Sequence, residues 1–273
     1  MAELDLGLVV GADGKDGSDG QHASSNLLDN SNWQKKADII NQRGRDAYKV
    51  NDYTIDRWRT WSATAEVSIS DQGLTTNATL YQYLDIDQNA TYTAAVCKAD
   101  GSIVCISGIP KDGFSWSPIT VVVGSNKLVA FTFTAGTYKW AALYKGAFTK
   151  DTLPAYTPKG YAAELAECQR YYREIKATEN PLSVGVGVAV SSALYLPLYV
   201  GPMRIKPTVT YAGIAATNAD VSSANVNGLS LFDYDVQSGH STLKLTASST
   251  LTNQNMYRVA VMTDGYIRFS ADR

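Results

Sequence analysis

From residue 64 to about 147, apolar and polar residues alternate in short runs: "ATAEVSIS", "ATLYQYLDI", "TYTAAVC", "SIVCIS", "PITVVV", "KLVAFTFT" and "TYKWAALY". A period of two puts one side of each run on a buried face and the other in water, which is the pattern of a strand. Turn chemistry bounds the runs at Asp71-Gln72-Gly73, Asp100-Gly101 and Gly124-Ser125-Asn126. With no helical period between them, these runs predict an antiparallel sandwich or jelly roll over residues 26–153.

The pattern changes after Pro154 and Pro158. In "YAAELAECQRYYREI" apolar residues fall at Leu165, Cys168, Tyr172 and Ile175, while Glu164, Glu167, Arg170, Arg173 and Glu174 fill the rest of the circumference. Steps of three and four predict a helix within a linker segment, residues 154–180, with Arg170 and Glu174 placed to pair. So narrow a stripe suits either the seam of a short bundle between chains or contact with a sheet of its own chain.

Beyond Pro181 the period of two returns in "VGVGVAV", "ALYLPLYV", "PTVTY", "LSLFDYDV", "STLKLTA", "MYRVAVM" and "GYIRFS". These runs predict a small β-sandwich over residues 181–273. In "ALYLPLYV" one face carries Leu194, Leu196, Leu198 and Val200, and the other carries Ala193, Tyr195, Pro197 and Tyr199. Apolar on both faces, this strand should be covered on two sides, a neighbouring subunit being one source of the second cover. The expected fold is mainly β: an N-terminal jelly-roll-like sandwich, one short helix and a small C-terminal sandwich.

The first 25 residues follow a different rule. In "VGADGKDGSDG" glycine recurs at Gly11, Gly14, Gly17 and Gly20, the period of a collagen triple helix, in which only glycine fits at the axis. No proline occupies the other positions, and four triplets span only roughly 30 Å. The stretch is therefore either the end of a shaft whose chains are held together downstream or a flexible charged linker.

Composition narrows the partners. A net charge of -2 leaves no broad basic field for a phosphate backbone, which argues against nucleic acid. No apolar run reaches the roughly 18 residues of a membrane helix, and residues 1–10 lack the basic start and apolar core of a secretion signal. The odd cysteine count, Cys97, Cys105 and Cys168, favours free thiols. With a two-residue turn at Asp100-Gly101, Cys97 faces Val104 and Cys105 faces Val96, so the sulfurs lie on opposite faces; a one-residue slip would pair them.

Few residues carry candidate chemistry. Trp116, in the Gly- and Ser-rich "KDGFSWSP", suits an exposed loop platform, whereas Asp56, Arg57 and Trp58 in "DRW" read as fold-forming. "FDYDVQSGH" puts Asp233 and Asp235 on one strand face and Phe232 and Tyr234 on the other, with His240 after the turn. Two such carboxylates could hold calcium, or act as an acid/base pair on a glycosidic bond, or simply face water. "DIDQN" at 85–89 lacks the glycine and distal glutamate of a calcium loop and reads as a strand end. There is no phosphate-cradling glycine loop and no Cys-x-x-Cys or His-Glu-x-x-His pattern. Gly185-Val186-Gly187 continues as strand with no helix to receive a phosphate.

Taken in order, "NLLDNSNW", "INQRG", "YTIDRW", "PKGYAAELAECQRYYREI" and "LYVGPMRIKPTVTY" resemble tail fibre and receptor-binding structural proteins of bacteriophages and prophages. The resemblance spans roughly residues 26–273, and the Cys-Gln-Arg-Tyr-Tyr helix motif is its most specific part. It implies a sandwich similar to carbohydrate-binding modules and a homotrimer at the tip of a fibre in the virion tail. It also implies partnership with other tail proteins and non-enzymatic adhesion to a bacterial surface glycan. On that reading Leu165, Cys168, Tyr172 and Ile175 are trimer-seam candidates, and Trp116, Asp233, Tyr234, Asp235 and His240 are glycan-binding candidates. No cofactor is expected other than calcium at the carboxylates. A glycan depolymerase using an Asp pair and a purely structural fibre connector are the alternatives.

Overall fold

The computed structural model describes residues 25–271 apart from 50–51, 61, 63, 85, 88, 110–113, 117–118, 124–127, 219–222 and 248–250. The Gly-X-Y stretch therefore lies outside the described residues. The chain is mainly β, as the period of two predicts.

The N-terminal unit is two antiparallel sheets. One runs β1(Ala47–Lys49), β2(Glu66–Ser70), β3(Gly73–Thr76), β10(Gly136–Lys145), β5(Tyr92–Lys98), β6(Ile103–Gly108). The other runs β4(Thr79–Tyr83), β9(Leu128–Phe133), β8(Ile119–Val123), β7(Phe114–Trp116). Pairing of β3 with β10 and of β4 with β9 nests the early strands against the late ones. Inward-facing Val67, Ile69, Leu74, Leu80, Val96, Phe131 and Leu143 fill the space between the sheets around Trp33 and Trp58, both fully buried. These indoles meet edge to face at 5.4 Å, and both N–H groups donate to the Asn30 carbonyl.

The β5–β6 hairpin departs from the expected register. Its loop holds three residues, Ala99, Asp100 and Gly101, because Gly101 takes φ +86° and Lys98 N donates to Ser102 O. Cys97 consequently faces Ile103, and Cys105 faces Ala95. Both thiols lie on one face, the reverse of the two-residue expectation, beside Trp140 on the outside of the sheet. They remain free.

The C-terminal unit is a closed barrel and not a sandwich. Its sheet runs β11(Tyr172–Lys176), β17(Met256–Ser270), β12(Leu182–Val190), β13(Ala193–Tyr199), β16(His240–Ala247), β15(Ser223–Tyr234), β14(Thr208–Asn218), and β14 pairs back onto β17. Leu194, Leu196, Leu243, Leu245, Val259, Val261, Ile267 and Phe269 fill the interior. From Gly185 on, strand β12 turns Gly185 and Gly187 inward and Val186, Val188 and Val190 outward. A Cβ on Gly187 would sit 2.9 Å from both Leu194 Cγ and the Tyr195 carbonyl oxygen, so the bare backbone makes room for the leucines of β13. This packing accounts for the Gly-x-Gly without any ligand.

The helix, α1(Tyr161–Gln169), is shorter than its sequence pattern. From Tyr172 the chain is strand, with Tyr172 facing Ser270 and Ile175 facing Ile267. The free edge of β17 offers ladder hydrogen bonds, and this pairing overrides a helical period that would have continued. The four proposed seam residues therefore form no helical stripe: Leu165 and Cys168 lie on α1, Tyr172 and Ile175 on β11. Cys168 is fully buried within its own chain, and burial pushes its thiol pKa up. Glu174 does not pair with Arg170; it accepts from Arg268 Nε at 3.0 Å and from the Tyr172 hydroxyl at 2.8 Å.

Helix and strand together join the two units. Arg57 lies over the Tyr171 ring at 3.4 Å, and Arg43 over the Tyr172 ring at 3.9 Å. Gln42 Nε2 donates to the Tyr172 carbonyl at 3.0 Å. Asn30 N donates to the Glu164 carboxylate, although the sequence pattern puts Glu164 on the polar side of the helix. Lys159 and Arg57 Nε, each 2.9 Å away, hold opposite oxygens of Asp29. On the barrel side Ala271 N donates to the Tyr171 carbonyl at 2.7 Å, and Arg204 N to the Arg170 carbonyl at 2.8 Å.

Candidate functional site

The candidate site is the outer face of β13, β16 and β15. Leucines on alternate positions point into the barrel, so the intervening residues must face out. Register places Tyr195 opposite Lys244, Pro197 opposite Thr242, and Tyr199 opposite His240. Across β16, Lys244 faces Ser230 and Thr242 faces Asp233.

Between Leu231 and Asp233 the register shifts by one residue, and Phe232 is the extra one. Such a bulge re-aims a side chain. Phe232 is 60% exposed, and its ring meets that of Tyr195 edge on at 5.2 Å. Tyr199, 62% exposed, meets His240 in the same way at 5.3 Å. Two aromatic pairs thus lie on one outer sheet face, Phe232, Tyr199 and His240 exposed and Tyr195 half-buried, with Thr242, Asp233 and Lys244 on the strands between and beside them. Tyr199 also edges a hollow of about 140 Å³ that reaches Arg173 and Gln169.

The bulge separates the candidates that the sequence grouped. Phe232 and Tyr234 do not share an outward face. The Tyr234 hydroxyl accepts from Met203 N at 2.7 Å and donates to the Gly201 carbonyl at 2.8 Å, so it fixes the loop after β13 and is not available to a ligand. Asp235 caps a turn, accepting from Gln237 N at 2.8 Å and Ser238 N at 3.2 Å. Those N–H groups hold its carboxyl below the ordinary carboxylate range, the opposite of what a general acid on a glycosidic oxygen requires. Asp233 accepts from Tyr234 N, and with His240 it remains on the exposed face. The side chain of Trp116 lies outside the described residues.

Asp56 and Arg57 do form the fold, as "DRW" suggested. Arg43 Nη1 meets buried Asp56 at 2.7 Å, and Arg57, at φ +70°, spans Asp29 and the Tyr83 carbonyl. Sequence reasoning passed over Tyr195, Tyr199 and Phe232 as residues of the outer barrel face. The signal for Tyr195 and Tyr199 lay in the two apolar faces of "ALYLPLYV", which became a reason to expect a cover, whereas Phe232 is turned outward by a bulge that strict alternation does not show.

Among the described residues no three His, Cys, Asp or Glu side chains come together as metal ligands, and no helix is long and apolar enough to cross a membrane. No family model, no curated protein and no solved structure matches this chain.

Proposed function

We propose that the protein is a tail fibre receptor-binding protein of a phage or phage-like particle that adheres, as a homotrimer and without turnover, to a bacterial surface glycan. The observation that carries this reading is the pair of exposed aromatic couples on one barrel face. Aromatic rings offer sugar C–H faces a flat apolar partner, while Asp233, Thr242, Lys244 and His240 supply donors and acceptors for hydroxyls. A rigid sheet holds them without ordering cost, and three such faces on one head would multiply a weak single-site affinity. Adhesion places the working protein at the virion tail, outside the host cell, beside other tail proteins.

The test is binding of the full chain to host cells or purified surface polysaccharide, with reducing ends assayed in parallel. Binding without new reducing ends, abolished in a Tyr199→Ala, Phe232→Ala double variant that melts like the parent, is the expected result. Release of reducing ends would instead favour the depolymerase. A fibre connector is the second reading, and it has its own observation: Val186, Val188, Val190 and Met256 form an uncovered apolar ridge, each 44% exposed or more. On the homotrimer reading neighbouring copies would cover the same ridge.

A further inference from the structure

The joint between the two units leaves a cleft of about 340 Å³, within the range of small-ligand sites, which favour domain interfaces. The N-terminal unit contributes Arg43, Arg45 and Tyr53, and the barrel contributes Thr210, Arg268 and Ser270. Its cationic groups are preset. Buried Asp56 holds Arg43 at 2.7 Å, and Glu174, whose side chain is 4% exposed, holds Arg268 at 3.0 Å. Each guanidinium also lies on a ring, Arg43 over Tyr172 and Arg268 over Tyr266 at 3.7 Å. A guanidinium has five donors; at Arg268 Glu174 takes Nε and the Tyr266 ring takes one face, which fixes the plane and leaves the two terminal nitrogens for a ligand. Asp52, the acidic residue of the lining, is approached by Arg59 Nε at 3.8 Å.

We infer that this cleft binds a saccharide carrying an oxyanion, a carboxylate or a phosphate, at a site distinct from the outer barrel face. Oriented guanidinium forks match such oxyanions in two-point contact. The Thr210 hydroxyl supplies a neutral donor and acceptor of the kind that a sugar ring uses and a bare anion does not need. Because both units line the cleft, a bound ligand would also brace one against the other. The inference does not depend on the aromatic face, since the two sites share no residue.

The experiment titrates the full chain by calorimetry or saturation-transfer NMR with D-glucuronate, D-glucose 6-phosphate, D-glucose, acetate and inorganic phosphate. Saturable binding of one or both anionic sugars is expected, weakened by salt and stronger than that of glucose or either simple anion. The sugar that binds identifies the oxyanion. Arg45→Ala, at an exposed position, should weaken binding about tenfold, and Arg268→Gln by at least as much. A thermal melt checks that each variant is folded, and Tyr199→Ala should leave this binding unchanged. Equal binding of glucose, equal binding of acetate or phosphate, or parent-like affinity in folded Arg45→Ala would each overturn the inference.

Discussion

The joint between the units and the outer face of the barrel obey opposite rules. At the joint most polar groups are buried and paired, Arg204 Nε being an exception. The Asn30 side chain makes three hydrogen bonds, to Ile40 N, Ile40 O and Asp56 O, each 2.8 Å. On the barrel face apolar and aromatic groups stand in water, with Tyr199, Phe232 and Met256 all at least 60% exposed. A buried polar network is costly unless every member is satisfied, so it fixes one geometry. An exposed apolar sheet face contributes nothing to a lone chain and gains only when something covers it. The motifs that carry the family resemblance, "NLLDNSNW", "INQRG", "DRW" and the helix, converge on the joint. Their residues build the joint, and the exposed aromatic face proposed to adhere to a glycan lies elsewhere.

The largest effect should come from breaking the joint. Asn30→Ala removes the acceptor for Ile40 N and a donor to each of the Ile40 and Asp56 carbonyls, leaving Asp56 N on the Ile40 carbonyl at 3.1 Å, and puts alanine at φ +48°. A loss of about 3–4 kcal/mol is expected, read from urea unfolding. A loss under about 1 kcal/mol would mean that water replaces the network, and that the joint does not fix the geometry. Gly187→Ala probes the inner side of the barrel wall that carries the face. Its Cβ meets Leu194 and the Tyr195 carbonyl, so overpacking should cost about 1–3 kcal/mol and move Tyr195, seen as a changed aromatic near-UV signal.

The two regions were unequally legible. Strand positions followed from the period of two, because one buried face imposes it whatever the topology. Closure of the barrel did not, since it depends on β14 reaching β17, a pairing that no local pattern encodes. The hairpin register failed by one residue: Asp-Gly suits two- and three-residue loops alike, and the choice moved Cys105 to the other face. The helix was read too long because "YYREI" fits both a 3.6-residue period and an edge strand. Phe232 was misassigned because a bulge is invisible to strict alternation. Buried polar residues such as Glu164 and Asn30 look like surface residues in any hydropathy pattern, and only their partners show otherwise.

A smaller effect, of opposite sign, is expected at Glu164. Burial raises its carboxyl pKa above the ordinary value, against the Asn30 N–H and Lys159, which lower it. An acid whose pKa is raised by folding costs stability when ionised; the cost is present above the folded pKa and disappears as pH falls through it. Glu164→Gln keeps an acceptor for Asn30 N without the charge. It should leave stability unchanged or raise it by up to about 1 kcal/mol at pH 7, with no gain at pH 4. Asp29 runs the other way. Burial would raise its carboxyl, but Arg57 and Lys159 outweigh that and hold it low, so its contribution is present at neutral pH and lost as pH falls through the depressed value. A Glu164→Gln variant that loses stability at pH 7 would show that the charged acceptor for Asn30 N outweighs the cost of burying the carboxylate.

The smallest effect on stability should come from the exposed ridge, where it is also the most informative. Val186 and Val188 are 54% and 44% exposed, so exchanging both for serine should change the unfolding free energy of a single chain by no more than about 0.5 kcal/mol. If neighbouring copies cover the ridge, the same exchange removes apolar area from every contact, and light scattering should report the mass of a monomer where the parent gives that of a trimer. Unchanged trimer mass would place association away from the barrel wall. The ridge would then lie open beside the aromatic face, and the two would form one continuous surface for a partner of another kind.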